Sequence, residues 1–168
     1  MDLWIELLQD PAYLHVLLNH FPLTGLGFAG LVLAWGTIEG RWRSMLFGLA
    51  LVIVASASVL LVIESGEDAY PFVFDALDGI SRRWLDHHAY LADRWGSAVL
   101  GNGVLAALAL GLGHRRPDWR RPLAIAVLVS TTASLLAASV VAEAGGQIRH
   151  AEFRLSDPPI HDEPGRLR

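Results

Sequence analysis

Four long apolar runs, separated by short charged segments, set the hydrophobic pattern of this chain. About 20 predominantly apolar residues are enough for one helix to cross a bilayer. The runs predict membrane-spanning helices over about 11–37, 44–63, 81–113 and 123–150. The fold class that follows is all-α: an integral membrane four-helix bundle, up-down-up-down, forming one domain over 1–155. Two short interfacial helices complete it. At the N-terminus Leu3, Trp4, Leu7 and Leu8 fall on one helical stripe, and a mixed segment over 69–83 joins the second and third spans. Asp10-Pro11 reads as an N-cap with proline at the first helical position. Pro22 removes one intrahelical hydrogen bond and predicts a bend near His20. Residues 156–168, with three prolines and many charges, read as a disordered tail. No long-period internal repeat is visible.

Composition sharpens this picture. Of 168 residues 53% are hydrophobic, too apolar for an ordinary soluble domain of this size. The chain has no cysteine, which excludes disulfides, thiolate metal sites and covalent c-type haem attachment. Asp2, Glu6 and Asp10 leave no basic region ahead of the first run, so that run does not read as a cleavable signal peptide. Arg41, Arg43, Arg115, Arg116, Arg120 and Arg121 cluster in the loops after the first and third spans. The positive-inside rule puts those loops in the cytoplasm and both termini in the periplasm of a bacterial inner membrane. The arginines are topology signals, and nucleic-acid binding does not follow from them. Six tryptophans near the predicted span ends read as an aromatic belt. Gly101-Asn-Gly103 and the Ser130–Ser134 stretch read as helix-packing and hydrogen-bonding surfaces.

The candidate chemistry lies in the polar residues that interrupt the runs. Ionisable groups at membrane depth are costly and point to function. His15 and His20 lie in the outer half of the first span, and Glu64 ends the second on the same side. His87 and His88 open the third span, while Glu143 and His150 close the fourth. A rise of about 1.5 Å per residue puts these groups roughly 25–42 Å above the cytoplasmic loops, one layer at the outer edge of the hydrocarbon. His15 and His20 differ by roughly 140° around a regular helix, so they cannot both point at one atom. His114 and His161 lie elsewhere.

With the pattern H-x4-H-F-P, then Gly66-Glu67, then His88, then G-G-x-I-R-H-x-E, the chain resembles a poorly characterised family of small bacterial four-helix inner-membrane proteins. Some relatives are suspected to bind haem. The resemblance runs from about Pro11 to Glu152 and rests on His15, His20, Pro22, Gly66, Glu67, His88, Gly145, Gly146, Arg149, His150 and Glu152. It implies a fold and a site, not a settled activity.

Three readings of the polar layer stand side by side. The first is a cytochrome b-like haem protein. Two imidazoles among His15, His20, His88 and His150 ligate haem b, and Arg94 or Arg149 meets the propionates. Its partners are the bilayer, the quinone pool and a periplasmic electron carrier or larger membrane complex, and a homo-oligomer is compatible with it. One haem near one face suits an accessory subunit better than a stand-alone enzyme. The second reading is a copper or zinc centre held by His20, His88 and His150 with Glu64 or Glu143. The third is a structural polar cluster that pins the helix ends.

Overall fold

A computed structural model of the chain describes residues 2–160. Six α-helices follow one another: α1 (Asp2–Gln9), α2 (Pro11–Leu18), α3 (His20–Glu39), α4 (Trp42–Asp75), α5 (Gly79–Arg115) and α6 (Arg120–Arg149). Short 3-10 turns at Pro117–Trp119 and Ala151–Phe153 flank α6. Four segments are long and apolar enough to cross a membrane: Pro11–Glu39, Trp42–Asp75, Gly79–Arg115 and Pro117–Arg149. No strand occurs among the described residues. The all-α four-helix membrane bundle expected from the hydrophobic pattern is the observed architecture.

The first span is α2 and α3 in series. The Asp10 carboxylate caps α2 by accepting from the Ala12 and Tyr13 amides at 2.8 and 3.2 Å. The helical ladder breaks at Asn19, three residues before Pro22, as a missing proline N–H requires. Gly40, at φ 70°, ends α3 in the left-handed conformation. The second and third spans are longer than the apolar runs alone predict. The segment over 69–83 is no separate interfacial helix. It extends α4 to Asp75 and starts α5 at Gly79, with a turn between them. Residues 156–160 have no regular structure, although Pro158 is buried, and the remainder of the expected tail, including His161, lies outside the described residues.

Around the bundle α3 packs on α4, α4 on α5, α5 on α6 and α6 on α3. The diagonal pair α3 and α5 make no backbone approach, whereas α4 and α6 do. The interior is built from small residues and a few medium ones: Ala29, Leu33, Met45, Leu49, Val52, Ala106, Ala109, Ala124 and Val127 are nearly or fully buried. The large side chains point outward, with Phe28, Leu31, Trp35, Ile38, Val54, Val129 and Leu136 all more than 60% exposed. Lipid gives no hydrophobic drive for helices to associate, so close backbone packing must hold them. Gly48 shows how close: a Cβ there would meet the Leu33 Cα at 2.7 Å and N at 2.8 Å. Midway along the bundle the Asn102 amide donates to Thr131 Oγ1 at 3.2 Å and to Ser56 Oγ at 3.5 Å. All three residues are at most 2% exposed, so α4, α5 and α6 share a polar node inside the apolar core.

Arginines close three helix C-termini. Arg82 donates to Phe74 O at the end of α4, and Arg120 to Gly113 O at the end of α5. Arg154 donates to Gln147 O and Ile148 O at the end of α6. Each satisfies carbonyls that the helix cannot pair and opposes the negative end of its dipole.

Gly48→Ala forces the α3 backbone away from α4 and is expected to cost about 1–3 kcal/mol. Gly27→Ala, with open space around it, serves as the control and is neutral to slightly stabilising. Thermal unfolding of both variants in detergent checks the difference.

Candidate functional site

Two of the layered histidines meet. His15 on α2 and His88 on α5 reach toward one another across the bundle, their ring centroids 6.2 Å apart and their planes at 79°. Both rings are half-buried. They come from the two segments whose backbones stay apart, so the side chains alone bridge that diagonal.

Each ring is fixed by the helix beside it. His15 Nδ1 lies 3.0 Å from the Val62 carbonyl of α4 and 3.3 Å from Ser65 Oγ. His88 Nδ1 lies 3.0 Å from the Val141 carbonyl of α6. A carbonyl only accepts, so each Nδ1 carries the proton and donates. The proton is therefore off both Nε2 atoms, and neither has a hydrogen-bonding partner among the described residues. Glycines make room for the rings. A Cβ on Gly66 would stand 2.9 Å from His15 Cε1, and one on Gly145 would stand 3.2 Å from His88 Cε1. Gly66 and Gly145, each part of a short sequence motif, are thus floors under imidazoles.

The other candidates are not brought to this pair. His20 is exposed at the start of α3, where its Nδ1 donates to Val16 O of α2, in the same span, at 2.8 Å. The roughly 140° between it and His15 explains why one ring faces in and the other out. His150 is exposed beyond the end of α6 and pairs with Glu152 at 2.9 Å. Glu64, Glu143 and Arg149 are exposed on their helices. Arg94 is exposed as well, lying over the Trp95 ring and donating to Tyr90 Oη at 3.5 Å. No group of three or more His, Asp or Glu side chains placed to share a metal ion occurs among the described residues. The expected set of three histidines with Glu64 or Glu143 is therefore not assembled. The helix faces separate residues that depth alone put together.

One contributor was missed. Trp84 stands one helical turn before His88, 4% exposed, and packs against Leu85 and Ile148. It is buried and so departs from the aromatic belt expected of it. Its indole Nε1–H has no acceptor, and a buried donor left unpaired costs about 1–3 kcal/mol. His87 packs edge-on against it at 5.8 Å. The i, i+4 spacing of Trp84 and His88 was the available signal, since it puts both on one face of α5.

Beyond the rings a clamp closes this end of the bundle. Asp78 caps α5 by accepting from the Ser81 amide at 2.8 Å, and Arg154 donates to Ser81 Oγ at 3.0 Å. The Ser81 hydrogen bonds first, then the Arg154 charge, hold the Asp78 carboxyl below the usual aspartate range. The Glu152 carboxyl is held low by its own backbone amide and by His150.

Fold and site together define a class: a four-helix membrane bundle with a paired-imidazole centre near one end. Neither a protein-family model, nor a curated protein, nor a solved structure matches the chain.

A carboxyl with a depressed folded pKa stabilises the fold above its unfolded value, and that contribution is lost as pH falls through the folded one. Asp78→Asn therefore lowers the thermal midpoint near pH 7. The gap to the parent protein closes as pH drops below the ordinary aspartate range. Melting curves at a series of pH values check this, and a gap independent of pH would remove charge from the account.

Proposed function

We propose that this chain is a membrane-embedded cytochrome b-like protein in which His15 and His88 hold one haem b near the periplasmic end of the bundle. The observation that carries the reading is the state of the two rings. Both give their Nδ1 proton to a helix carbonyl, and both Nε2 atoms lack a partner. An imidazole held this way is in the tautomer that coordinates a metal, and the carbonyl raises its basicity. Two neutral imidazoles in one half-buried layer offer the electron pairs that a metal centre takes.

The donor chemistry suits the group. The donor set is two neutral imidazoles from facing helices, a ligation that bundle cores can provide. When bound, the haem supplies one-electron chemistry. The chain's own residues would orient the two ligands through the Val62 and Val141 carbonyls.

The arginine loops support an orientation in a bacterial inner membrane with this end and both termini in the periplasm. A centre near one face cannot carry electrons across the whole membrane. The role that fits is an accessory subunit passing electrons between a membrane donor such as the quinone pool and a periplasmic carrier. The resemblance to the small four-helix inner-membrane family points the same way.

A visible spectrum of the detergent-purified protein tests the reading. Sharp bands on reduction are expected. His15→Ala and His88→Ala each abolish them, while His20→Ala and His150→Ala retain them. A protein that stays colourless with added haem, yet loses stability in the His15 and His88 variants, is instead a bundle whose ring pair is a structural contact.

A further inference from the structure

The two ring contacts match atom for atom. His15 donates to the carbonyl four residues before Gly66, and His88 donates to the carbonyl four residues before Gly145. A Cβ on Gly66 would meet Cε1, Nδ1 and Nε2 of His15 at 2.9, 3.1 and 3.7 Å. On Gly145 it would meet the same three atoms of His88, in the same order, at 3.2, 3.3 and 3.9 Å. The accepting segments share one pattern: Val62-Ile-Glu-Ser-Gly66 and Val141-Ala-Glu-Ala-Gly145 both read V-x-E-x-G.

The match continues down the helices. Leu26, Ala29, Leu33 and Gly36 stand at the same intervals from His15 as Val99, Asn102, Ala106 and Ala109 stand from His88, and all eight are buried. Every buried residue of α6 has a buried counterpart in α4 at the same interval from the glycine. Met45 answers to Ala124, Gly48 to Val127, Val52 to Thr131, Ala55 to Ser134, Ser65 to Ala144 and Ala69 to Ile148. Buried stripes of helical period coincide by chance in about one register in 3.6, so these stripes support the match and the paired ring contacts carry it.

We propose that the four spans are two copies of one helical hairpin, His15 to Gly66 and His88 to Gly145, and that the paired-imidazole centre is the seam where the copies meet. Each copy gives one imidazole, one positioning carbonyl and one glycine floor. The ligand is a single centre that takes one nitrogen from each copy, on an approximate two-fold axis along the bundle. Glu64 and Glu143 are then one residue seen twice, outward-facing in both copies, which is why neither joins the site. The inference rests on the haem reading only for the identity of the bound group.

The absence of a visible repeat in the sequence has a physical cause. Membrane cores exchange small and apolar residues freely, so burial persists where identity does not. The α5–α6 connection is also longer, because it carries the Pro117–Trp119 turn.

Nitrogen-15 NMR of histidine-labelled, full-length protein prepared without haem tests the proposal independently of any cofactor. Both His15 and His88 are expected as neutral rings protonated on Nδ1. Gly66→Ala shifts the His15 ring resonances and leaves those of His88 in place, and Gly145→Ala does the reverse. The double variant Ile63→Ala, Ser65→Ala gives the first copy the motif of the second and keeps His15 in its Nδ1–H form. A ring carrying its proton on Nε2, a glycine variant that leaves its facing ring unmoved, or loss of the Nδ1–H form in the double variant overturns the equivalence. A colourless protein that passes all three measurements retains the repeat and loses only the haem.

Discussion

The rest of the molecule is arranged around a hydrogen bond made twice, from an imidazole Nδ1–H to a helix carbonyl that the ring can reach only because a glycine lies beneath it. The Val62 and Val141 carbonyls are already positioned by their helices, so the bond costs little ordering of the acceptor. A glycine at 66 and at 145 lets the ring lie against the backbone. The consequence is chemical as well as structural. Fixing the proton on Nδ1 leaves a basic Nε2 on each neutral ring, and the two rings share one half-buried layer.

That layer needs a bundle whose diagonal stays open. α3 and α5 are kept apart while α4 and α6 approach, and the small residues along the interior set that distance. An inside-out distribution of size follows from the solvent. In water the large apolar side chains would fill the core, whereas in lipid they face outward at no cost and the helices gain by close backbone contact. The Asn102–Thr131–Ser56 node adds hydrogen bonds deep in the core, each worth roughly 0.6 kcal/mol and rarely more than about 1.7. Such bonds do more to fix which helix faces sit together than to hold them together.

The fold was legible because it is written in runs of many residues. Four apolar stretches and their arginine-rich gaps survive errors of several residues at each boundary. The misjudged segment, 69–83, alternates charged and aromatic residues because it emerges from the apolar layer while remaining helical; polarity there reports depth and not secondary structure. The site was half legible. Depth along the chain put His15, His20, His88 and His150 in one layer, and of these the structure brings the rings of His15 and His88 together. Depth carries no information about direction, however, and rotation about the helix removed His20, Glu64 and Glu143. His150 fell outside because α6 stops at Arg149, one residue before it. Trp84 was hidden by a rule that is true on average, since tryptophans near span ends do gather at interfaces.

The polar groups that did not join the site still follow from the same constraint. A helix ending at the membrane surface leaves carbonyls unpaired, and at three C-termini an arginine from beyond the helix returns to accept that duty. Arg154 does so while also reaching Ser81 at the start of α5, so the segment after α6 is tied to the start of α5. Asp78 stands in the turn beneath it and adds the opposite charge. Arg82 holds the end of α4 from the first turn of α5. This end of the bundle is therefore tied together by charge-assisted hydrogen bonds among helix ends, where water is available to solvate the charges. The layer itself is left to neutral rings, carbonyls and glycine. This division puts charge only where it is cheap.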